Sequence, residues 1–305
     1  MWLVLKVAIV IVCSFFIYDV IVNSEELKIN DFWLILVKNE VISLKNIAFL
    51  LIFTLINWFL EIKKWQVLTQ KIEFISFKNA TKQSLSSLTF SLITPNRIGD
   101  YGAKALYYRK PKRKSILVLN FIGNFYQLFF TLFLGWLGLF YAGIELDGLV
   151  SKGVMYMFYL IVITIVSLLI LFKINTRFKI WLGAIITRFK LINIKSNAKV
   201  MLLSLFRYLV FSHQFYVLLL IFNIDISYWD ALAGISSMYL IASMIPMLSL
   251  FDFILKGSVA IFVFSFFEVD TISIISITTI MWMLNFALPA IIGSYFVLTF
   301  KPIQE

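Results

Sequence analysis

The chain has a single cysteine, Cys13, and a single histidine, His213. One cysteine excludes a disulfide framework within the chain and any Cys-x-x-Cys metal site. One histidine argues equally against a zinc or di-iron centre built from clustered imidazole ligands. We therefore expect no resident metal ion and no other cofactor.

Charged residues are also scarce, and acidic ones are rarer than basic ones. Only 14% of the residues are charged, whereas 61% are hydrophobic, and the mean hydropathy is +0.95. This composition excludes a soluble globular domain and indicates a chain that crosses a bilayer several times. Lys and Arg outnumber Asp and Glu by 27 to 16. In a membrane protein this excess reflects cytoplasmic basic loops and contact with anionic headgroups, so no nucleic-acid partner is expected.

Six charge-poor stretches are candidates for crossing the hydrocarbon core of a bilayer, which is roughly 30 Å thick. Because lipid offers the backbone no hydrogen-bond partners, each stretch must be helical. The sequence therefore predicts one all-α, polytopic membrane domain over residues 1–305, with about six spanning helices and two helical hairpins. The first stretch lacks an Ala-x-Ala cleavage pattern and is interpreted as a retained span. The predicted spans are Trp2–Val22, Asn46–Leu60, Ser115–Ile144, Gly153–Phe172, Val200–Ile224 and Thr271–Phe300.

Basic and acidic segments alternate along the chain. Most basic residues, 19 of 27, lie in three segments: 63–82, 97–114 and 173–199. Most acidic residues, 10 of 16, lie in four others: 23–45, 145–152, 225–230 and 268–270. By the positive-inside rule the first set lies in the cytoplasm and the second set outside. Both termini are then cytoplasmic, in a multi-pass protein of the cell (inner or plasma) membrane.

Two of the basic segments are separated only by Gln83–Asn96, which as a helix is about 21 Å long and too short to cross the membrane. We therefore predict a re-entrant hairpin at about residues 83–107, entered from the cytoplasm. Such a hairpin is tolerated where protein covers it or where it lines a polar cavity. Pro95 ends the first arm beside Thr94, and Gly99 allows close approach near the tip. Hydroxyl groups are frequent in the first arm: Ser84, Ser86, Ser87, Thr89 and Ser91.

A second hairpin is predicted at about residues 231–267, entered from outside and broken at Pro246. In both hairpins a Ser-Ser pair precedes the proline, and an Asp and a Lys follow it with four-residue spacing. These pairs are Asp100–Lys104 and Asp252–Lys256, and opposite charges at this spacing share one helix face. Opposed hairpins with matching residues predict inverted repeats with a binding site between them. The alternative is a chance likeness of two short segments.

Several ionisable residues in these hairpins are candidates for either binding or structure. Arg97, with Asp100 and Lys104, has the chemistry to bind a phosphate or a lipid headgroup. The alternative is a positive anchor with a local ion pair. Asp252 and Lys256 are predicted at membrane depth, where ionisable groups are functional candidates by default. Here the alternative is a neutral structural pair.

Other polar residues lie in the predicted spans. Asn120, Asn124 and Gln127 are spaced i, i+4, i+7 and form one helix face that contacts a headgroup or neighbouring helices. His213 is a candidate proton relay or, alternatively, a hydrogen-bonded packing residue. Arg207 is expected to snorkel to the cytoplasmic interface.

The segment TPNRIGD, Thr94–Asp100, resembles the TPgRxGE motif of the lysylphosphatidylglycerol synthase transmembrane-region family, and Lys104 follows it. Asp100 stands in place of the family's usual Glu. The family's second motif, Pro-x-Ser-x-Gly-Gly-x-Gly-x-Arg-Glu, is only echoed, by Pro246, Ser249, Asp252 and Lys256. The resemblance implies a flippase-like or lipid-handling membrane protein; it does not imply lysyl transfer.

Two functions are consistent with the sequence. The first is transport or flipping of a lipid whose phosphate-bearing headgroup, aminoacylated or glycosylated, binds in an intramembrane groove. The second is a membrane-embedded enzyme or accessory subunit acting on a lipid-linked sugar or phosphate. The chain contains no GxxxxGK[ST], HExxH or GxSxG motif, which favours the first. The expected partners are a membrane phospholipid or lipid-linked substrate, and anionic headgroups at the basic loops.

Overall fold

The computed structural model describes residues 34, 36–92, 94, 97–143, 193–245 and 252–300. Every regular element within these ranges is helical, so the all-α class is confirmed for this part of the chain. A short π-helix, Met283–Ala287, lies directly between the last two α-helices. The helices are α1 (Leu44–Thr69), α2 (Phe77–Leu92), α3 (Ile98–Leu106), α4 (Lys110–Ala142), α5 (Ile194–Ile221), α6 (Tyr228–Met244), α7 (Asp252–Ser265), α8 (Thr271–Trp282) and α9 (Leu288–Thr299).

Within the described residues, four helical segments are long and apolar enough to cross a membrane: α1, α4, α5 and the continuous run Thr271–Thr299. They correspond to four of the spans predicted from the sequence. The other two predicted spans, Trp2–Val22 and Gly153–Phe172, lie outside the described residues, as do both chain termini. The first described span is longer than predicted, because α1 continues past Leu60 to Thr69.

Side-chain caps define where several of these helices begin. Ser43, Asn193, Ser227 and Asp270 each accept a hydrogen bond from the backbone N–H three residues later. Such a cap satisfies one of the N–H groups that the first helical turn leaves unpaired, and it typically contributes about 1 kcal/mol. Local sequence therefore sets the beginnings of α1, α5, α6 and α8.

At the positions of the two predicted hairpins, consecutive helices contact each other, α2 with α3 and α6 with α7. The arms of the first contain 16 and 9 residues and are about 24 and 14 Å long. The arms of the second contain 17 and 14 residues and are about 26 and 21 Å long. Each arm is therefore shorter than the roughly 30 Å hydrocarbon core.

The limits of the hairpins differ in part from the predicted ones. The first arm begins at Phe77 rather than near residue 83, because the basic residues before Gln83 are accommodated within α2. The connections are residues 93–97 in the first hairpin and 245–251 in the second. Pro95 and Pro246, the predicted hinge prolines, lie outside the described residues.

The helices fall into two groups with equivalent contacts. In the first group α2 packs on α3 and α3 on α4; in the second, α6 packs on α7 and α7 on α8. Between the groups, α4 packs along α6, the first arm of the second hairpin. In the same way, α9 packs along α2, the first arm of the first hairpin, and α1 packs along α5. These contacts within and between the groups thus occur in matching pairs, in which α8 and α9 together correspond to α4.

Glycines allow the close contacts between the two groups. A Cβ atom on Gly138 of α4 would lie 2.7 Å from the carbonyl oxygen of Ala233 on α6. A Cβ atom on Gly293 of α9 would collide with the carbonyl oxygen of Leu85 and lie 2.5 Å from Oγ1 of Thr89 on α2. Small residues at such interfaces let helix backbones approach closely, which is how membrane helices pack tightly. Each hairpin is therefore held by a long helix of the other group through a glycine.

The apolar core has two main centres. The larger lies among α5, α6, α7 and α8 and includes Phe215 and Phe264, whose rings stack with centroids 5.7 Å apart. The smaller surrounds Trp65 of α1, where α3 and α4 approach it. By contrast, α1 and α4 expose large apolar side chains, such as Leu55 and Phe133, on their outer faces. This pattern is typical of helices that face lipid.

Candidate functional site

The first hairpin turns at a glycine that has no room for a side chain. A Cβ atom on Gly99 would lie 2.5 Å from the carbonyl oxygen of Phe90 and 2.8 Å from Oγ1 of Thr94. The N–H of Gly99 donates to that hydroxyl (2.8 Å), and the hydroxyl donates to the carbonyl oxygen of Ser91 (3.0 Å). Two of the predicted hinge residues, Thr94 and Gly99, therefore hold α3 against α2.

Arg97 lies in this turn with a left-handed backbone, at φ +58°. For a residue other than glycine this conformation costs about 1–2 kcal/mol, and such strain clusters at functional sites. The guanidinium is partly buried and its Cζ lies 5.5 Å from the centroid of the Phe286 ring. None of the described residues accepts a hydrogen bond from it. Arg97 is thus held in an unfavourable backbone conformation with its donors unused by the described part of the chain.

Asp100 is the centre of a closed set of hydrogen bonds. Its Oδ1 accepts from the hydroxyl of Ser87 (2.5 Å), and its Oδ2 accepts from Nδ2 of Asn120 (2.7 Å). Nζ of Lys104 lies 3.2 Å from Oδ1 of Asp100 and donates to Oδ1 of Asn120 at 2.9 Å. All four side chains are buried. The structure therefore brings together three predicted site residues, and Ser87 joins them.

Lys104 is also held by an aromatic ring. Its Nζ lies 4.6 Å from the centroid of Trp65, a cation–π contact. The indole N–H of Trp65 donates to Oε1 of Gln83 (2.7 Å), which also accepts from the hydroxyl of Tyr108 (3.0 Å). Tyr108 lies between α3 and α4, and burial raises the pKa of its hydroxyl well above the usual range, so it remains a donor. This chain of bonds keeps the indole of Trp65 beside the ammonium group.

The amide stripe of α4 is only partly joined to this cluster. Asn120 belongs to it, and the side chain of Asn124 lies near the hydroxyl of Tyr101 on α3. The amide of Gln127 is buried, and none of the described residues hydrogen-bonds with it. Two of the three predicted amides therefore contact the first hairpin or its charged residues, and Gln127 does not.

The second predicted ion pair lies at the beginning of α7. Nζ of Lys256 donates to Oδ2 of Asp252 at 2.6 Å, and about a quarter of each side chain is exposed. The same ammonium group lies 4.9 Å from the centroid of Phe286 and 5.7 Å from that of Tyr239. Phe286 is the ring that Arg97 also approaches. The predicted site residues of the two hairpins therefore meet at one aromatic side chain.

A second buried charge cluster, which the sequence analysis missed, lies between α1 and α5. Oε2 of Glu61 is 2.6 Å from Nζ of Lys64 and 2.8 Å from a terminal nitrogen of Arg207. Nε of Arg207 also donates to Oδ1 of Asn57 at 3.0 Å. The expectation that Arg207 snorkels was wrong, because Glu61 compensates its charge within the protein. The sequence feature that could have indicated this cluster is Glu61, an acidic residue directly after a predicted span.

An amide network connects this cluster to the π-helix. Nδ2 of Asn57 donates to Oδ1 of Asn285 (2.7 Å), and Nδ2 of Asn285 donates to Oε1 of Gln214 (2.8 Å). Nε2 of Gln214 in turn donates to the hydroxyl of Thr54 at 2.9 Å. Side chains of α1, α5 and the π-helix are thus joined by polar contacts in a part of the bundle that is otherwise apolar.

The π-helix has a local chemical cause. Pro289 has no N–H, so the carbonyl of Asn285, four residues earlier, lacks its helical donor. The indole N–H of Trp58 lies 3.3 Å from that oxygen and supplies the missing hydrogen bond. Single-turn π-helices occur frequently at functional sites. This one presents Phe286 to both hairpins and Asn285 to the amide network, and neither residue was predicted.

The ring of His213 hydrogen-bonds with two neutral groups. Nδ1 lies 2.7 Å from the carbonyl oxygen of Leu209, and Nε2 lies 2.9 Å from the hydroxyl of Tyr228. Because a carbonyl oxygen only accepts, the neutral ring carries its proton on Nδ1 and accepts from Tyr228. Neither partner belongs to the charge clusters. These contacts favour the packing interpretation of His213 over the proton relay.

The functional interpretation rests on the chemistry of the site alone. No protein-family model matches the chain, and neither a curated protein nor a solved structure matches it. What the described residues show is two buried charge clusters, one around Asp100 and one around Glu61, and an aromatic ring, Phe286, that a cation of each hairpin approaches.

Proposed function

We propose that the protein is a flippase-like lipid transporter that binds the phosphate-bearing headgroup of a membrane lipid between its two hairpins. The observation that carries this proposal is Arg97. Its guanidinium is partly buried and donates to none of the described residues, and it lies three residues before Asp100, whose pairing with Lys104 and Asn120 is already satisfied. Arginine binds phosphate oxygens in bidentate geometry, which makes Arg97 the group that holds the headgroup.

The contacts between helices support a transporter architecture. We propose that α1–α4 and α5–α9 are inverted repeats, because the contacts of each group have counterparts in the other. Transporters built in this way bind their substrates between discontinuous helices at the repeat interface. In this proposal about six helices span the membrane, the two hairpins are re-entrant, and both termini are cytoplasmic.

The residues around Phe286 suggest how a headgroup is passed between the hairpins. Arg97 of the first hairpin and Lys256 of the second lie on this same ring. A phosphate held by Arg97 is therefore close to a second cation, whose partner Asp252 is one-quarter exposed. Movement of one hairpin against the other transfers the headgroup between the two cations, while the acyl chains stay in the bilayer. The resemblance of TPNRIGD to a lipid-handling family supports the same function.

Lipid movement in reconstituted liposomes tests the proposal. The purified protein is inserted into vesicles with headgroup-labelled lipids, and transfer between leaflets is measured. We expect transfer with the wild type and loss of transfer with Arg97→Ala. Lys112→Ala is the matched control, since Lys112 is a basic residue that pairs with Glu73 at the surface. Transfer that is unaffected by Arg97→Ala would remove the basis of the proposal.

The same assay separates transport from catalysis. The alternative function, an enzyme or accessory subunit acting on lipid-linked sugar or phosphate, predicts chemical conversion of the labelled lipid without movement. Mass analysis of the lipids recovered from the vesicles distinguishes the two outcomes.

A further inference from the structure

The two buried charge clusters lie side by side at α1. Nζ of Lys104 lies 4.6 Å from the ring of Trp65, the residue that follows Lys64 of the second cluster. On α4, a Cβ atom at Gly123, three residues after Asn120, would lie 3.6 Å from Cε of Lys64. We call the two clusters, together with Arg97, the charged core; its members are Glu61, Lys64, Arg97, Asp100, Lys104 and Arg207. It joins the first hairpin to α1 and α5.

The charged core holds more positive than negative charge. Its described members are four cations and two carboxylates, which leaves a net charge of +2. Nearby acids elsewhere are used by other bases: Asp252 pairs with Lys256, and Glu73 pairs with Lys112. Uncompensated charge is costly where water is excluded. The core therefore attracts an anion, and two negative charges balance it.

Two guanidinium groups of the core have N–H donors without a described acceptor. None of the described residues accepts a hydrogen bond from Arg97. Arg207 has two described partners. One terminal nitrogen contacts Glu61 and Nε donates to Asn57, so the other terminal nitrogen has no described acceptor. Both side chains therefore have N–H donors for an anion.

We propose that the ligand of the charged core is a phosphate group with two negative charges, either a phosphomonoester or a diphosphate. A phosphomonoester carries about −1.5 to −2 charge near pH 7, whereas the phosphodiester of an ordinary phospholipid carries one negative charge. A zwitterionic headgroup has no net charge and leaves the net positive charge of the core uncompensated. The assignment of this phosphate to a lipid rests on the proposed function. Free phosphate or diphosphate carries the same kind of charged group and would bind to the same side chains.

A binding comparison tests the charge of the ligand. The full-length protein, in phosphatidylcholine nanodiscs at pH 7, is titrated with phosphatidate and with phosphatidylglycerol of identical acyl chains, and bound lipid is counted by native mass spectrometry. We expect phosphatidate to bind at least about tenfold more tightly. Equal affinities, or tighter binding of phosphatidylglycerol, overturn the inference. Displacement by inorganic phosphate or pyrophosphate at comparable concentration supports the dianion but overturns its assignment to a lipid.

Charge-changing variants test whether the core is responsible. Lys64→Met lowers the net charge of the core to +1, so the preference for phosphatidate is expected to fall towards parity. Lys112→Met makes the same chemical change at an exposed pair and is expected to retain the preference. Arg97→Gln also lowers the net charge of the core to +1. Because the side chain of Arg97 makes no described hydrogen bond, this variant is expected to fold even if Lys64→Met does not. An unchanged preference in these core variants overturns the inference.

Lipid movement separates this inference from the proposed function. If liposomes show lipid transfer without regard to headgroup charge, the transporter stands and the dianionic ligand is rejected. If phosphatidate binds selectively but is not moved, the dianionic ligand stands and transport is rejected.

Discussion

Arg97 and Lys256 approach the same aromatic ring from different hairpins. The guanidinium carbon of Arg97 is 5.5 Å and the ammonium nitrogen of Lys256 is 4.9 Å from the centroid of Phe286. The two cations differ in their partners, since Lys256 is paired with Asp252 and Arg97 is left without a described acceptor. Each cation–π contact contributes about 0.5–2 kcal/mol, depending on how far it is desolvated. The ring therefore holds two like charges near each other without neutralising either.

Arg97→Gly separates the function of this residue from the stability of the protein. Glycine adopts a φ of +58° without steric cost, so relief of the strained backbone offsets the lost cation–π contact. We expect the free energy of unfolding to change by less than about 1 kcal/mol, while lipid transfer is lost. Thermal unfolding in detergent and the liposome assay measure the two effects. A large loss of stability with transfer retained would show a structural role instead.

Asp100→Asn leaves the buried ammonium group of Lys104 without its counter-ion. Removal of one partner of a buried ion pair costs about 3–5 kcal/mol, because the other charge stays buried and uncompensated. The double variant Asp100→Asn, Lys104→Met is expected to be more stable than the single one. Denaturant unfolding of both variants checks this order, and the reverse order would contradict the pairing.

The control for this prediction is the exposed pair of Lys112 and Glu73. Both side chains are more than two-fifths exposed, and an exposed pair is worth about 0–1 kcal/mol. Lys112→Met is therefore expected to leave the unfolding transition almost unchanged.

Gly99→Ala and Gly102→Ala should act in opposite directions although they lie in the same helix. The first places a methyl group 2.5 Å from the carbonyl oxygen of Phe90, and overpacking of this kind costs about 1–3 kcal/mol. A Cβ atom at Gly102 meets no heavy atom within 4 Å, so alanine there is expected to add about 0.5–1 kcal/mol of stability through helix propensity. Melting temperatures of the two variants provide the comparison. Equal effects would contradict the tight turn.

Trp58→Phe and Pro289→Ala are expected to be coupled. Phenylalanine cannot donate to the carbonyl of Asn285, and loss of one hydrogen bond within a helical membrane protein costs about 0.5–2 kcal/mol. Pro289→Ala restores a backbone N–H four residues after that carbonyl. Trp58→Phe should therefore cost less in the Pro289→Ala background than in the wild type. A double-mutant cycle measured by unfolding tests the coupling, and additive effects would exclude it.

Labelling of single cysteines tests the proposed orientation of the chain in the membrane. In a Cys13→Ser background the chain has no other cysteine. Lys71→Cys and Glu268→Cys then place single thiols in exposed connections on opposite sides of the proposed membrane. A membrane-impermeant maleimide added to intact cells is expected to label the second variant and not the first. The reverse pattern, or labelling of both, would contradict the assignment of basic loops to the cytoplasm.

Short-range patterns were sufficient for part of the candidate site. The i, i+4 spacing of Asp100 and Lys104 places both on one helix face whatever surrounds them, and the ion pair is present at 3.2 Å. The likeness of the two hairpins was visible in their Ser-Ser, Asp and Lys residues. The hinge at Gly99 followed from the need for close approach beside a proline. Each of these features depends on neighbours within a few turns of the chain.

Long-range contacts escaped prediction for a physical reason. A helix face shows which side chains point together, but it does not show which distant helix they meet. Nε of Arg207 reaches Oδ1 of Asn57, 150 positions away, and Asn57 reaches Asn285, 228 positions away. Arg207 was therefore assigned to the interface, when its actual partner is an acid on another span.

Composition and hydropathy alone determined that this is a helical protein whose long apolar segments suit a membrane, because lipid forces backbone groups to pair within each segment. Only the tertiary structure decided that two charge clusters lie together and that a cation of each hairpin approaches Phe286. The partners of a buried charge are set by the packing of whole helices, and that packing depends on small residues such as Gly138 and Gly293 at their crossings.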